Sequence, residues 1–294
     1  MRLIDHLKST GLSNRAAREL MSSGKVLFCG VPTADGGRDV EPASVQIRHN
    51  ARRIRVGRDP AVIWKDSHFC IVWKPPGLLS VAAPRRGSDD NLISLMARWF
   101  GAAHPVHRLD EPTSGLMMVA LTKKAQYALK ELLAAHDIER RYLAIVSGRF
   151  ADEPMTVSNT LVEDRGDGRR GEGPGGKAAT THFRPLVAVG SRNTLIEARL
   201  ESGRTHQVRI HLSDAGFPVL GDQLYSPAGI ASVGPRLALH AWRLGLEHPV
   251  TGERLRFEAP LADDLEHLRR DLVAGRHSSV PRRNRQKGKT RRRR

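Results

Sequence analysis

The chain has 294 residues, 39% of them hydrophobic, which excludes a wholly disordered protein and allows one sizeable core with a smaller one beside it. The formal net charge is +17, and ten Lys or Arg residues with no acid lie between Gly275 and Arg294, so the remainder is itself basic at +7. This surplus favours nucleic acid as a partner, because each neutralised phosphate releases counterions.

The first piece of the chain runs to about Gly57 and is predicted to hold two short helices and a small sheet. Ser13 can cap a helix that Gly24 closes, and Arg15 and Arg18 share one face of it because they are three residues apart. Two β-like runs follow, at residues 26–29 and 45–48, with a Gly-Gly turn between them.

The stretch SNRAARELMSSGKVLFCG, residues 13–30, resembles the S-four-type RNA-binding domains, a family named after a ribosomal protein. It departs from that family at Phe28-Cys29, where Val-Asn is usual. The resemblance implies that residues 1–57 form a small α/β RNA-binding domain, with Arg15, Arg18 and Lys25 directed at RNA. A generic helical cap is the alternative interpretation.

The second piece, residues 58–274, mixes strand and helix patterns without a steady βαβ alternation. We therefore predict an α+β domain with a largely antiparallel mixed sheet rather than a doubly wound one. The strand-like runs are Phe69–Trp73, Leu116–Leu121, Tyr142–Val146, Thr194–Leu200 and Arg236–Leu246, and helical spacing of apolar residues marks 92–99 and 125–133. The third piece, residues 275–294, has too few apolar residues for packing and is predicted to be a disordered basic tail.

Several apparent sites can be dismissed. Gly171–Lys177 nearly matches a phosphate-binding P-loop but continues with Ala178, where Ser or Thr is needed to hold magnesium. His206 and His211, on a predicted helix, are five residues apart and should point away from each other. Cys29 and Cys70 lack metal-ligand spacing, so we expect no metal and a reducing, cytoplasmic location. No apolar run is long enough for a membrane span, and no signal peptide is visible.

Four segments carry the chemistry. They are the charged cluster HRLDEPTSG at 107–115, the strand start RYLA at 141–144, the stretch ESGRTHQVRIH at 201–211 with Gly221-Asp222 and Tyr225 after it, and Leu239-His240-Ala241. In this order and spacing they resemble the RluA family of RNA pseudouridine synthases, over nearly all of residues 60–260. The resemblance implies the pseudouridine synthase fold and isomerisation of uridine within RNA, without a cofactor.

The resemblance also implies roles for individual residues. Asp110 corresponds to the catalytic aspartate, and Arg209 to an arginine expected to keep it ionised and fix its direction through a bidentate pair. Tyr142 corresponds to the tyrosine that stacks on the target base, with a part in proton transfer left open. Arg108 corresponds to the residue that fills the space of the extruded base. Taken singly, each would be better interpreted as a cap, core filler or surface ion pair.

The reaction explains why these residue types occur together. Pseudouridine formation breaks the bond from ribose to uracil, rotates the base, and joins the sugar to carbon five of uracil. An ionised carboxylate can act at the sugar or the base, much as carboxylates do in glycosidases. A retaining glycosidase itself needs a second carboxylate about 5 Å away, and no second motif supplies one.

A second alternative is a non-catalytic RNA-binding or ribosome assembly factor on the same fold. That class is expected to lack one of the three catalytic positions, and Asp110, Tyr142 and Arg209 are all present. The combination of an S-four-type module with an RluA-type catalytic domain favours ribosomal RNA over transfer RNA as the partner.

Overall fold

Residues 1–82, 90–166 and 169–276 are described by a computed structural model of the chain. The first of these ranges begins with a small module of two helices, a three-stranded antiparallel sheet and a 3-10 turn at Pro42–Ser44. Its elements are α1 (Leu3–Ser9), α2 (Asn14–Ser22), β1 (Val26–Phe28), β2 (Val31–Pro32) and β3 (Val45–Ile47), and the strand order is β2-β1-β3. Ser13 caps α2 by accepting a hydrogen bond from the Ala16 amide, as the sequence predicts.

The module has a core of its own, formed where the apolar stripe of each helix meets the sheet. Leu3 and Leu7 of α1 pack with Ala17 and Met21 of α2 and with Val26 of β1, and all five are buried. The residues that the spacing marks as an apolar face are therefore the ones that pack, and the arginines of α2 remain on the outside.

The rest of the described chain is built around an eleven-stranded sheet. Its strands are β4 (Ala61–Lys65), β5 (Phe69–Lys74), β6 (His104–Pro105), β7 (Ser114–Ala120), β8 (Glu139–Ser147), β9 (Met155–Val162), β10 (Gly171–Glu172), β11 (Lys177–Val189), β12 (Asn193–Leu200), β13 (Leu239–Glu247) and β14 (Arg254–Glu258). The main order is β10-β9-β11-β12-β8-β13-β7-β5-β4, with β14 beside β13 and β6 beside β7. In the described part, every pairing is antiparallel except β13 with β7. The predicted largely antiparallel sheet is confirmed.

Helices cover both faces of this sheet. They are α3 (Leu92–Phe100), α4 (Lys123–Ala134), α5 (Gln207–Asp214), the short α6 (Ala228–Ala231) and α7 (Asp263–Val273). Helices α3, α5 and α7 contribute to the core on one face, with Cys70 and Val72 of β5, whereas α4 packs on the other, with Phe69 and Ile71. The strict alternation along β5 follows from the two-residue period of a strand buried on both sides.

The module is docked onto α7 through charged groups. Asp263 accepts hydrogen bonds from Thr33 Oγ1 at 2.8 Å, from the Ala34 amide at 2.9 Å and from Arg38 at 3.0 Å. On the next turns of the helix, His267 and Arg270 both contact the Asp35 carboxylate. The amino-terminal module and the last described helix therefore lie side by side.

The hairpin of β9 and β11 and the helix α7 are elements that the sequence patterns do not predict. The proposed boundaries at residues 57 and 274 remain predictions, and most of the predicted basic tail, residues 277–294, lies outside the described residues. No helix in the described ranges is both long and apolar enough to span a bilayer.

Candidate active site

Asp110 lies in the loop between β6 and β7, and the backbone of this loop is held from several sides. Ser80 Oγ donates to the carbonyl of Leu109 at 2.7 Å and accepts from its amide at 3.0 Å, so one buried hydroxyl satisfies both polar groups of the preceding residue. The Thr113 amide donates to the Asp110 carbonyl at 3.0 Å, which closes a turn around the carboxylate. The loop therefore presents Asp110 in one defined position.

Lys74, at the end of β5, ties this loop to the one before it. Its ammonium is fully buried and donates to the carbonyls of Pro75, Leu78 and Glu111 at 2.9, 2.8 and 3.2 Å. Burial lowers the pKa of Lys74 to about 7. Three backbone oxygens thus surround the Lys74 nitrogen, which indicates that this lysine shapes the loop.

The other end of the loop is fixed where β7 meets β13. Ser114 and His240 are paired in the parallel register, and Ser114 Oγ is 2.8 Å from His240 Nδ1. Gly115 has φ of 119°, and a Cβ on it would lie 2.2 Å from the Ala241 carbonyl oxygen. Only glycine fits this close approach, which explains the Ser-Gly that ends the charged cluster.

Arg209 points from α5 toward Asp110 but is held mainly by another carboxylate. It donates through Nε and Nη2 to the two oxygens of Asp222, both at 2.7 Å, and through Nη1 to Asp110 Oδ2 at 3.1 Å. Burial alone would raise the pKa of Asp222, but the hydrogen bonds from Arg209 and the charge of that residue bring it below its ordinary value. The prediction of a bidentate pair between Arg209 and Asp110 is therefore wrong, because the bidentate partner of Arg209 is Asp222.

His206 and Tyr225 complete the surroundings of the carboxylate. The sequence predicts His206 within the helix, but the residue lies immediately before the first residue of α5. Its backbone is in the left-handed conformation, with φ of 61°. Its Nε2 is 3.7 Å from Asp110 Oδ1, and its Nδ1 is hydrogen-bonded to the Tyr225 hydroxyl at 2.9 Å. The Tyr225 ring in turn lies 5.1 Å from the guanidinium carbon of Arg209. His211, in contrast, is buried inside the helix packing, bonded to Thr181 and Asn159.

Tyr142 faces Asp110 from β8, the strand beside β13. Its side chain is buried, and burial raises the pKa of its hydroxyl to about 12. Among the described residues its hydroxyl has no hydrogen-bond partner, so it is available to a bound molecule. Tyr142 lines a cavity of about 50 Å³ together with Asp110 and Arg209. It also lines an adjacent cleft of about 500 Å³ that includes Arg108.

The structure brings together all three predicted catalytic residues, Asp110, Tyr142 and Arg209, and leaves Arg108 exposed in the neighbouring cleft. The three predicted RNA contacts of the module lie away from this cavity: Arg15 and Arg18 are exposed, and Lys25 is half-buried. The sequence reasoning missed Asp222, His206 and Tyr225 as site residues. All three belong to the motif that begins with Thr-His-Gln and continues with Gly-Asp and Tyr, and this motif is the sequence pattern that marks them.

The groups around the cavity suit proton transfer and charge stabilisation at an organic substrate. Across the residues that the structure describes, no three His, Cys, Asp or Glu side chains are grouped as metal ligands. The positive lining of the adjacent cleft, with Arg108, Arg140 and Arg204, suits a phosphate backbone.

Residues 68–214 match the family model described as RNA pseudouridylate synthase. The chain is 36% identical over 200 residues to the dual-specificity RNA pseudouridine synthase RluA of Haemophilus influenzae, covering 67% of this chain and 91% of that protein. It is also 36% identical over 238 residues to the ribosomal large subunit pseudouridine synthase D of Zymomonas mobilis, covering 72% of each. The solved structure of human RNA pseudouridylate synthase domain containing 4 has the same fold, with a TM-score of 0.60 and 24% identity over 72% of this chain and 92% of that one.

Proposed function

The chain belongs to the RNA pseudouridine synthase family and isomerises uridine in RNA, and from this premise we propose that Asp110 is its catalytic carboxylate, with Tyr142 and Arg209 as partners. The observation that carries the proposal is that Asp110 is held through one oxygen by Arg209 while both residues line the same cavity as Tyr142. The other oxygen of Asp110 has no hydrogen bond shorter than 3.5 Å in the described part of the chain, so it can act on the substrate.

In the proposed reaction the bond between ribose C1′ and uracil N1 breaks, and a new bond forms between C1′ and C5. The carboxylate of Asp110 stabilises the electron-deficient sugar, either by charge or by a covalent bond that is later released. The C5 proton leaves and N1 gains one, so the product is an isomer of the substrate. The neutral Tyr142 phenol lies against the base, and its hydroxyl assists the proton transfer.

The target uridine must leave its RNA stack to enter this cavity, at a cost of a few kcal/mol. We propose that Arg108, exposed in the adjacent cleft, fills the vacated space or contacts the flanking phosphates. The module formed by residues 1–57 would hold a shaped RNA element through Arg15, Arg18 and Lys25, and the basic residues after Arg276 would contact phosphates without base readout.

Ribosomal RNA is the substrate that we propose, in preference to transfer RNA. The support is that the relatives named for the large ribosomal subunit match a greater share of this chain than the dual-specificity ones do. The thiols of Cys29 and Cys70 are both free, which is compatible with a reducing, cytoplasmic location. Mapping pseudouridines in ribosomal and transfer RNA from a strain that lacks the gene tests the proposal, and a missing site in transfer RNA alone would contradict it.

A further inference from the structure

A groove of about 370 Å³ lies where the amino-terminal module meets the edge of the large sheet, away from the cavity of Asp110. Gly24 and Leu27 line it from the module, and Trp99 and Phe100, the last residues of α3, line it from the catalytic domain. Both aromatic side chains are half-buried, so part of each ring is accessible. The groove is therefore a junction of two units with aromatic surface at its base.

Cations lie over both rings. The guanidinium carbon of Arg52 is 4.5 Å from the centroid of the Trp99 ring, and the Lys65 ammonium is 5.4 Å from that of Phe100. The two rings are nearly perpendicular, with centroids 6.4 Å apart. Flat aromatic and guanidinium surfaces beside positive charge are what single-stranded nucleic acid needs, because bases stack on the former while phosphates pair with the latter.

The charge of the groove has one sign. Its charged lining residues, Arg48, Arg52 and Lys65, are all basic, and no acid in the described part of the chain lines it. The one acid between Arg48 and Pro60 is Asp59, and Arg55 engages it with two side-chain nitrogens and its amide. A larger cleft of about 920 Å³ elsewhere is lined by four acids, Glu131, Asp137, Glu139 and Glu247, and by only two arginines, Arg254 and Arg256. A polyanion therefore has a clear preference between them.

The groove also adjoins the surface of the module for which RNA binding is proposed above. The Arg48 amide donates to the Lys25 carbonyl at 2.8 Å, so the backbones of these two basic residues are adjacent. We propose that the groove binds a short single-stranded segment of the substrate RNA, with a base against Trp99 and phosphates at Arg48 and Arg52. The proposal rests on RNA as the substrate but not on the roles of Asp110, Tyr142 or Arg209.

The first test measures binding of a short fluorescent oligouridylate to the full-length protein at several salt concentrations. Arg52→Ala should weaken binding and lower the salt slope by about 1, whereas Arg53→Ala, which removes the same exposed charge one residue outside the groove, should do much less. Trp99→Leu should weaken binding about 5- to 100-fold, and Trp99→Phe, which keeps a stacking ring, should bind nearly as the parent does. Equal losses for Arg52→Ala and Arg53→Ala, or for Trp99→Leu and Trp99→Phe, overturn the proposal.

Two further arms keep these results interpretable. If Trp99→Leu does not fold, Arg48→Ala decides, because the proposal places a phosphate at Arg48, and unweakened binding with an unchanged salt slope in that variant would contradict the site. If an acidic peptide displaces the oligouridylate with equal efficiency at equal charge, the groove recognises acidic protein and the proposal is wrong.

Tritium release from RNA labelled at uridine C5 separates this proposal from the enzymatic one. The groove variants should raise KM and leave kcat unchanged, because the groove shares no lining residue with the cavity of Asp110. Parental turnover in Asp110→Asn would refute the proposed function and leave the binding result standing. A groove variant with lowered kcat and parental KM would refute the proposed RNA-binding role of the groove.

Discussion

Arg209 donates two hydrogen bonds of 2.7 Å to Asp222 and only one, of 3.1 Å, to Asp110. The buried aspartate thus takes the bidentate geometry and sets the direction of the guanidinium, while Asp110 receives the one nitrogen that remains. This division leaves Asp110 with a cation beside it but without a rigid clamp. Two carboxylates share one arginine, and they have different tasks.

Replacing Asp110 with Asn should abolish isomerisation and leave folding and RNA binding almost unchanged. The side chains have nearly the same shape, but the amide lacks the charge that the reaction needs, so we expect turnover to fall at least about a thousandfold. Tritium release measures turnover, and filter binding at matched salt controls for RNA affinity. Turnover within tenfold of the parent would show that Asp110 is not the catalytic carboxylate.

Replacing Asp222 with Asn should lower kcat about 10- to 100-fold, because Arg209 loses its charged orienting partner. It should also lower the free energy of unfolding by roughly 3 kcal/mol, since a buried guanidinium is left with less compensation. Arg209→Met should lower kcat at least as far, because Asp110 then lacks the cation that donates to its Oδ2.

The double variant of Arg209 and Asp222 provides the control. If the two residues act as a unit, its loss of rate should be close to that of Arg209→Met alone rather than the product of both losses. Multiplicative losses in kcat would mean that Asp222 does not work through Arg209.

Replacing Tyr142 with Phe should preserve RNA affinity and lower the rate about 100-fold, whereas Leu should lower both. We expect the ring to supply the stacking surface and the hydroxyl to take part in proton transfer. Because burial raises the pKa of this hydroxyl to about 12, no basic limb due to Tyr142 should occur below about pH 10. Single-turnover rates across this pH range give the measurement. A rate for the Phe variant within threefold of the parent would restrict Tyr142 to stacking.

The protein should lose stability as the pH falls from 7.5 to 5.5, in part because of His211. Burial lowers the pKa of His211 to about 4, so its native form stays neutral while the unfolded chain takes up a proton below its ordinary value of 6.5. Stability is therefore present above 6.5 and is lost as pH falls, by about 1.4 kcal/mol over this interval for one such histidine.

His211→Asn should remove that share of the pH dependence, although it also lowers stability at pH 7.5 by disrupting two hydrogen bonds. Urea titrations of both proteins at both pH values give the comparison. Replacing His49, which is exposed, serves as the control and should change nothing. An identical pH dependence in parent and His211→Asn would contradict the assignment.

Deleting the residues after Arg276 should weaken binding to all RNAs alike and flatten the dependence of log affinity on log salt. Nine of the ten Lys and Arg residues between Gly275 and Arg294 lie in the deleted segment, which has few apolar side chains for packing. Turnover at saturating RNA should not change. A selective loss on the natural target, with an unaltered salt slope, would show that this segment reads sequence or shape.

Much of the site could be predicted from the sequence because its motifs specify residue types in order. Asp110, Tyr142 and Arg209 come from a loop, a strand and a helix that the resemblance had already grouped. The partner of Arg209 could not be predicted, because whether a guanidinium faces one carboxylate or another depends on side-chain packing. The left-handed backbone of His206 is likewise set by tertiary contacts, since a periodicity argument extends the helix one residue too far.

The missed elements have a different explanation. Strands β9 and β11 carry polar residues on their inward side, where Asn159 and Thr181 bond to His211, so the apolar alternation that marks a half-buried strand is interrupted. Helix α7 does carry Leu265, Leu268 and Leu272 at helical spacing, but charged residues dominate its composition. In both cases the element is stabilised by packing at the margin of the domain rather than by a strongly apolar sequence.

The contact between the module and α7 has a kinetic consequence for RNA capture. Because His267 and Arg270 lie against Asp35, α7 lies beside the module, and the described residues end at Arg276, shortly after this helix. Under the proposed function, a transcript that binds the residues after Arg276 would be tethered near the module as a second attachment point, at an effective concentration that a short linker keeps in the millimolar range. Two weak attachments that open independently would then give the bound RNA a long residence time. When only one of them is engaged, the RNA would dissociate quickly after isomerisation.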